Sequence, residues 1–316
     1  MLTFLVLAST GLAGTLTVDP DDSSAYATIQ DAIDDASSDD TIEIAAGTYE
    51  ECVGLDGKDL TITGADREST FVDCIASSFG SARRSQAFEL GSGETGTISG
   101  LTISSTSRGI YAEGATLTLD DVTIEDSGYT GWSGGAIAQS EGSLTISNST
   151  FSDNSANAGA HIAVYGDATL DLDNVVLDGG SAAYGGAIYT DAESSSAYPT
   201  LTIVDSTLSD NYSHNHGGAI LLGEYGVLSS SGNTYSENGQ NYTYGGAIYA
   251  DEYAQVWSAG DSFESNGPGG ASWGYYGGAI YLNKYAELTV DSSSFEDNFA
   301  YNGGAIYAAG DNQVSI

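Results

Sequence analysis

Positive charge is scarce in this chain. Six Lys and Arg stand against 44 Asp and Glu among 316 residues, a formal net charge of −38. A surface so anionic repels nucleic acid and acidic lipid headgroups, and no basic patch offsets it. Two cysteines allow one bridge and, with no His nearby, exclude an ordinary zinc centre. No apolar run reaches the about 20 residues that a membrane-spanning helix requires. Long helix-forming runs are also missing from the C-terminal two thirds, which excludes the helical repeat arrays. With three Pro against 42 Gly, the chain suits a fold that turns sharply and often.

What is present instead is repetition. Gly185-Gly186-Ala187-Ile188-Tyr189 returns at Gly245, Gly277 and Gly303, and Gly-Gly-Ala-Ile alone opens at Gly134 and Gly217. A worn copy, Gly159-Ala160-His161-Ile162, lies between, so the steps are 25, 26, 32, 28, 32 and 26 residues. A second pattern sets an aliphatic residue seven places before a bulky one: Leu117 and Ile124, Leu144 and Phe151, Leu170 and Leu177, Leu201 and Leu208, Leu228 and Tyr235, Val256 and Phe263, Leu288 and Phe295. Three residues after the bulky position come Asn154, Asn211, Asn238, Asn266 and Asn298.

Each apolar run alternates with polar residues and ends in Gly, Asn, Asp or Ser, the signature of a short strand. Three strands per repeat follow. A unit of under ~35 residues buries no core alone and must stack on its copies, ~4.8 Å apart in a parallel sheet. The fold class expected is all-β: a single-stranded parallel β-helix (solenoid) over residues 41–316, one elongated domain.

The ends are read separately. Residues 1–13, with Leu2-Thr3-Phe4-Leu5-Val6-Leu7-Ala8 and small residues at Gly11 and Ala13, read as a secretory signal without its positive start. Residues 14–40 form a cap, in which Ile29, Ala32, Ile33 and Ala36 mark one face of a short helix and Thr28 with Asp31 its N-cap pair. At the far end Val314-Ser315-Ile316 reads as the Leu-x-Ile strand of another coil, with no polar cap after it. The expectation is a fragment whose continuation adds coils and a surface anchor, the only route by which this chain would meet a membrane.

The run from Thr28 to Ala36 followed by Asp40-Thr41-Ile42-Glu43-Ile44-Ala45-Ala46-Gly47-Thr48-Tyr49 resembles the opening of secreted proteins of the pectin-lyase-like superfamily. The Gly-Gly-Ala-Ile and Phe-x-x-Asn units resemble the repeats of polymorphic outer-membrane proteins. The resemblance implies a right-handed β-helix that is secreted or held at the cell surface of an outer membrane. It says little about activity, because this fold serves lyases, hydrolases, epimerases, adhesins and structural proteins. Cys52 and Cys74 lie 22 residues apart, the length of one tight coil, and are expected to bridge adjacent coils.

Catalytic signatures are wanting. Enzymes on this fold that cleave acidic polysaccharides use cations, yet Lys284 is the only basic residue besides His in the clean repeats. The Gly-His-Gly and Arg-Ile-Lys of polygalacturonase-like hydrolases do not occur. Arg83 and Arg84 are expected on a surface loop, as is His214-Asn215-His216. No cofactor is implied, and calcium is supported by composition only.

Tyrosine is the exception, with 21 copies. Tyr111, Tyr189, Tyr249, Tyr281 and Tyr307 should point outward beside the inward Ile, and Tyr225, Tyr253 and Tyr285 should form a second outer register. Two readings stay open: stacked rings that stabilise neighbouring coils, or an amphipathic platform for a polysaccharide or a protein on a host or neighbouring surface. The Asn residues should stack at one corner. The functional expectation is a non-catalytic surface protein, adhesin-like or structural, with a carbohydrate-active enzyme as the alternative.

Overall fold

The computed structural model describes residues 13–74, 86–104, 107–129, 133–239, 243–267 and 275–316. The expected signal, the Arg83-Arg84 loop and most of the insertion before Tyr275 lie outside the described residues. The chain winds as a parallel β-helix with three strands per coil. In one coil these are Ile188–Asp191, Thr200–Val204 and Thr207–Ser209. Ile188 is in register with Ile162 below and Ile220 above, Leu201 with Leu170 and Leu228, and Leu208 with Leu177 and Tyr235.

The Gly-Gly-Ala-Ile strands form one ten-stranded sheet, and the other two columns merge into a twenty-stranded one. Thr95–Ser104 and Thr116–Glu125 run continuously through both columns and join them. Every pairing between these strands is parallel. The seven-residue spacing holds because a slip of one place would turn the whole apolar set outward. In the core Phe263 is fully buried between Tyr235 and Phe295, with both centroid separations 4.7 Å.

The tight Gly-Gly corner has a steric cause. The first Gly adopts left-handed backbone, as at Gly185 with φ 57°. A Cβ on the second, as at Gly218, would overlap the carbonyl oxygen of Gly246 on the next coil. Left-handed residues also fall in pairs around the bulky position: Asn148 and Asp153, Asp205 and Asp210, Ser292 and Asp297. Asp and Asn tolerate that backbone better than most residues. Part of the acidity is thus turn chemistry.

The asparagines form a buried ladder. Asn238 Oδ1 accepts from the Asn211 backbone N–H at 3.1 Å and from Asn211 Nδ2 at 3.0 Å, while Asn238 Nδ2 donates to Leu208 O at 2.8 Å and to Asn266 Oδ1 at 3.0 Å. Asn266 repeats this with Asn298. Between Asn154 and Asn211 the ladder position is Gly180, and His161 bridges the gap. Asn154 Nδ2 donates to His161 Nδ1 at 3.0 Å, and His161 Nε2 donates to Asn211 Oδ1 at 3.1 Å. A Cβ on Gly180 would lie 2.7 Å from that Nε2. The worn repeat copy and the missing asparagine are therefore one compensated change.

At the N-terminal end the helix Ile29–Asp35 buries Ile29, Ala32 and Ile33 over the open core, and Thr28 accepts from the Asp31 N–H at 3.1 Å. The region expected as a cap also holds the strand Thr15–Val18, which pairs with Thr41–Ile44 and is already a rung of the large sheet. At the opposite end Val314 and Ile316 are 45% and 87% exposed.

Cys52 and Cys74 are bonded, with Cα atoms 5.0 Å apart. The bridge ties two coils next to the helix. Its reduction is expected to speed amide exchange in residues 41–74 by roughly tenfold or more while leaving later coils protected, since neighbouring coils carry most of a solenoid's stability locally. Uniform exchange before and after reduction would contradict this.

Candidate functional site

Two columns of side chains line the outer face of the ten-stranded sheet. In the first, the residue after each buried Ile, Tyr189, Leu221, Tyr249, Tyr281 and Tyr307 are partners on successive coils. In the second, the residue before each Gly-Gly, Ala158 bridges Tyr184, Tyr184 pairs with His216, and His216 bridges Tyr244. Both columns are positioned by rigid strand or corner backbone.

The rings stack on one another. Tyr249 and Tyr281 lie 5.0 Å apart at 5°, and Tyr281 and Tyr307 5.6 Å apart at 16°. Stacking turns their faces toward one another, and Tyr249 is only 8% exposed, which is the first of the two arrangements read from the sequence, rings stacked between neighbouring coils. Tyr225, Tyr253 and Tyr285 stack likewise at 5.2 and 5.1 Å. They stand at a turn with φ near 61° rather than on a strand, and offer ring edges to solvent.

The long stack stops where Leu221 supplies no ring. His216 leans in from the second column and lies on Tyr249, centroids 4.6 Å apart at 17°, and on Tyr244 at 5.2 Å. Its strand, Tyr212–His216, makes it half-buried, not the surface-loop residue expected; His214 alone is exposed, bonded to the Tyr212 hydroxyl at 2.9 Å. On the other side of the break Tyr189 tilts against Tyr165 at 6.0 Å and 52°. Between them opens a cleft of about 520 Å³ lined by Tyr165, Tyr184, Tyr189, Tyr249, Asp191 and Asp251, with His216, Ala158 and Leu221 completing it.

The electrostatics of this cleft are unusual for an exposed sheet. Partial desolvation pushes the Asp191 carboxyl above the usual range, with the like charges of Asp251 and Glu224 adding and a hydrogen bond from Tyr189 opposing. Desolvation also lowers the His216 imidazole against the pull of Asp251, so that ring is held neutral. Its Nδ1 is buried without a hydrogen-bond partner. Burial raises the hydroxyls of Tyr189 and Tyr249 well up, leaving both as neutral donors. Ring surface flanked by carboxylates and hydroxyls is suited to a polyhydroxylated ring with an apolar face.

Tyr111 lies farther along the same face. Arg108 packs there, its Cζ 4.0 Å from the centre of the Tyr129 ring and 5.1 Å from that of Tyr111, and it donates to the carbonyls of Ser133 and Gly134 at 2.8 and 3.1 Å. Asn154, Asn211, Asn238 and Asn266 are fully buried in the wall. Among the described residues no group of three or more His, Cys, Asp or Glu is placed to hold a metal ion, and no helix is long and apolar enough to cross a membrane.

Comparison with known proteins gives the fold a family. The description "Right handed beta helix region" matches residues 60–263, and "Chlamydia polymorphic membrane protein repeat" matches residues 292–309. No curated protein sequence matches the chain. Among solved structures it is similar to an alginate lyase from Paenibacillus sp. str. FPU-7 at TM-score 0.61 and 14% identity, covering 95% of this chain and 99% of that one. The pectin methylesterase PemA from Erwinia chrysanthemi is similar at TM-score 0.50 and 15% identity, covering 75% and 82%. Identities this low speak to the fold alone. The disulfide and the membrane-protein repeat point to an extracytoplasmic protein. With almost two thirds of its length matched, the chain belongs to the right-handed β-helix family.

Proposed function

We propose that this is a non-catalytic, adhesin-like protein of the cell exterior that holds a glycan against the outer face of its ten-stranded sheet. The observation that carries the reading is the break at Leu221, where the tyrosine stack opens into a cleft with carboxylates at its rim. A sugar ring laid there meets aromatic surface on its apolar side, and its hydroxyls reach Asp191, Asp251 and the tyrosine hydroxyls. The names of the similar structures, an alginate lyase and a pectin methylesterase, support a polysaccharide as the class of ligand. The stacked tyrosines on the later coils hold the cleft's upper wall in place, so little ordering entropy is lost on binding.

Screening the protein against an array of glycans tests this, followed by Tyr189→Ala on whatever binds. Loss of one ring contact is expected to weaken binding by about tenfold or more, with thermal unfolding little changed because Tyr189 is outside the core. No binding to any glycan would overturn the reading.

One observation favours a carbohydrate-active enzyme instead: Asp191, with its raised carboxyl, shares a cleft with neutral His216. A carboxyl shifted upward beside an imidazole shifted downward is the arrangement from which a general acid and base are built. Incubation with pectate, alginate and neutral glycans, following unsaturated products and reducing ends, separates the two. Turnover that Asp191→Asn abolishes would replace the adhesin reading.

A further inference from the structure

Resting on the glycan reading, we propose that the cleft selects a positively charged ligand, the protonated amine of an amino sugar, over neutral or uronic-acid sugars. Four tyrosines, Tyr165, Tyr184, Tyr189 and Tyr249, surround the space, Asp191 and Asp251 face it, and among the described residues no Lys or Arg lines it. Aromatic rings with carboxylates are the side chains that hold an ammonium once it leaves water, through ring quadrupole and charge together.

The same face already holds a cation in this way. The Arg108 guanidinium sits over Tyr129 and beside Tyr111, 8% exposed, with backbone carbonyls rather than a carboxylate as its acceptors. In the cleft the corresponding place between rings is open, and two carboxylates stand there in place of carbonyls. An arriving ammonium relieves the repulsion between Asp191 and Asp251, which a neutral ring leaves and a uronate worsens. Beyond the cleft, a net charge of −38 concentrates cations near the surface and excludes anions.

The test is calorimetric titration of the intact protein at about pH 6 and low ionic strength, where a sugar amine is largely protonated, with four probes. These are a β-1,4-linked glucosamine oligomer, its fully N-acetylated counterpart, an oligouronate of similar length, and tetramethylammonium. The amine oligomer is expected to bind about tenfold or more tighter than the acetylated one. In the D191N/D251N double variant that preference should vanish while circular dichroism and thermal unfolding stay as in the parent. If the acetylated oligomer or the oligouronate binds as tightly as the amine, the charge inference fails and the glycan reading stands. If tetramethylammonium binds in a Tyr189-dependent manner and no sugar does, the cation site stands and the glycan reading fails. If none of the four binds, both fail.

Discussion

Asn238→Leu is expected to destabilise the protein by roughly 4 kcal/mol, because the backbone N–H and the side-chain amide of Asn211 both lose their acceptor, Asn238 Oδ1, where water cannot reach. The Asn211 N–H donates only to Asn238 Oδ1 among the contacts of that corner, and Leu208 O receives Asn238 Nδ2. Each orphaned group costs about 1–3 kcal/mol, whereas the apolar gain from Leu is limited by a site shaped for a flat amide. Asn298 makes the same bonds to Asn266 and to Phe263 O, but it is only part-buried. Water can replace its amide, so Asn298→Leu should cost less than about half as much. Urea unfolding of the two variants, with amide exchange at Asn211, measures the difference. Equal costs at the two positions would mean that burial of the ladder does not set its worth.

The repeat was legible because core and corner impose it residue by residue. Leu144 must lie over Leu117 and Phe151 over Ile124, so the seven-residue spacing is the register itself. A second polar ladder escaped notice. Ser149, Ser206, Asn233, Asp261 and Ser293 each stand two places before the bulky residue and accept a backbone N–H from the coil below. Its chemistry is constant while its residue type varies, so a search for one recurring amino acid misses it. A fixed offset occupied by any short acceptor would have revealed it.

The cleft was harder still. Tyr189 and Tyr249 are visible as repeat residues, but the site exists because Leu221 interrupts them and His216 leans in from a different column. Sequence periodicity shows what recurs, and here the cavity arises from what fails to recur. The residue before Gly-Gly, successively Ala158, Tyr184, His216, Tyr244 and Tyr276, carried the signal: bulky rings begin at Tyr184, next to the small residue at Ala158. Whether those rings would expose faces or hide them in a stack depends on side-chain angles, which no spacing records.

The stability of the fold should fall between pH 6.5 and about 4 through one histidine. His161 is fully buried, and loss of solvation holds its imidazole down to about 4, with the hydrogen bond to Asn211 only partly offsetting that. The cavity has no room for a second N–H donor, because Asn154 Nδ2 already points its proton at Nδ1. Above pH 6.5 the ring is neutral whether the chain is folded or unfolded, and the contribution is flat. As pH falls below that, the unfolded chain takes up a proton that the folded chain refuses, so ΔG of unfolding drops by about 1.4 kcal/mol per unit until the buried ring titrates too. The total is roughly 3 kcal/mol, complete just below pH 4. The 44 carboxylates titrate over part of this range and change stability as well. They do so equally in His161→Gln, which keeps a polar side chain at the gap but carries no titrating ring. Urea midpoints of both proteins between pH 7 and 4 isolate the histidine. The parent should be the more stable at pH 7, and its advantage should shrink by roughly 3 kcal/mol on acidification. An advantage that stays constant across the range would show that His161 accepts a proton inside the fold at its ordinary pKa, and that the bridge from Asn154 to Asn211 does not depend on a neutral ring.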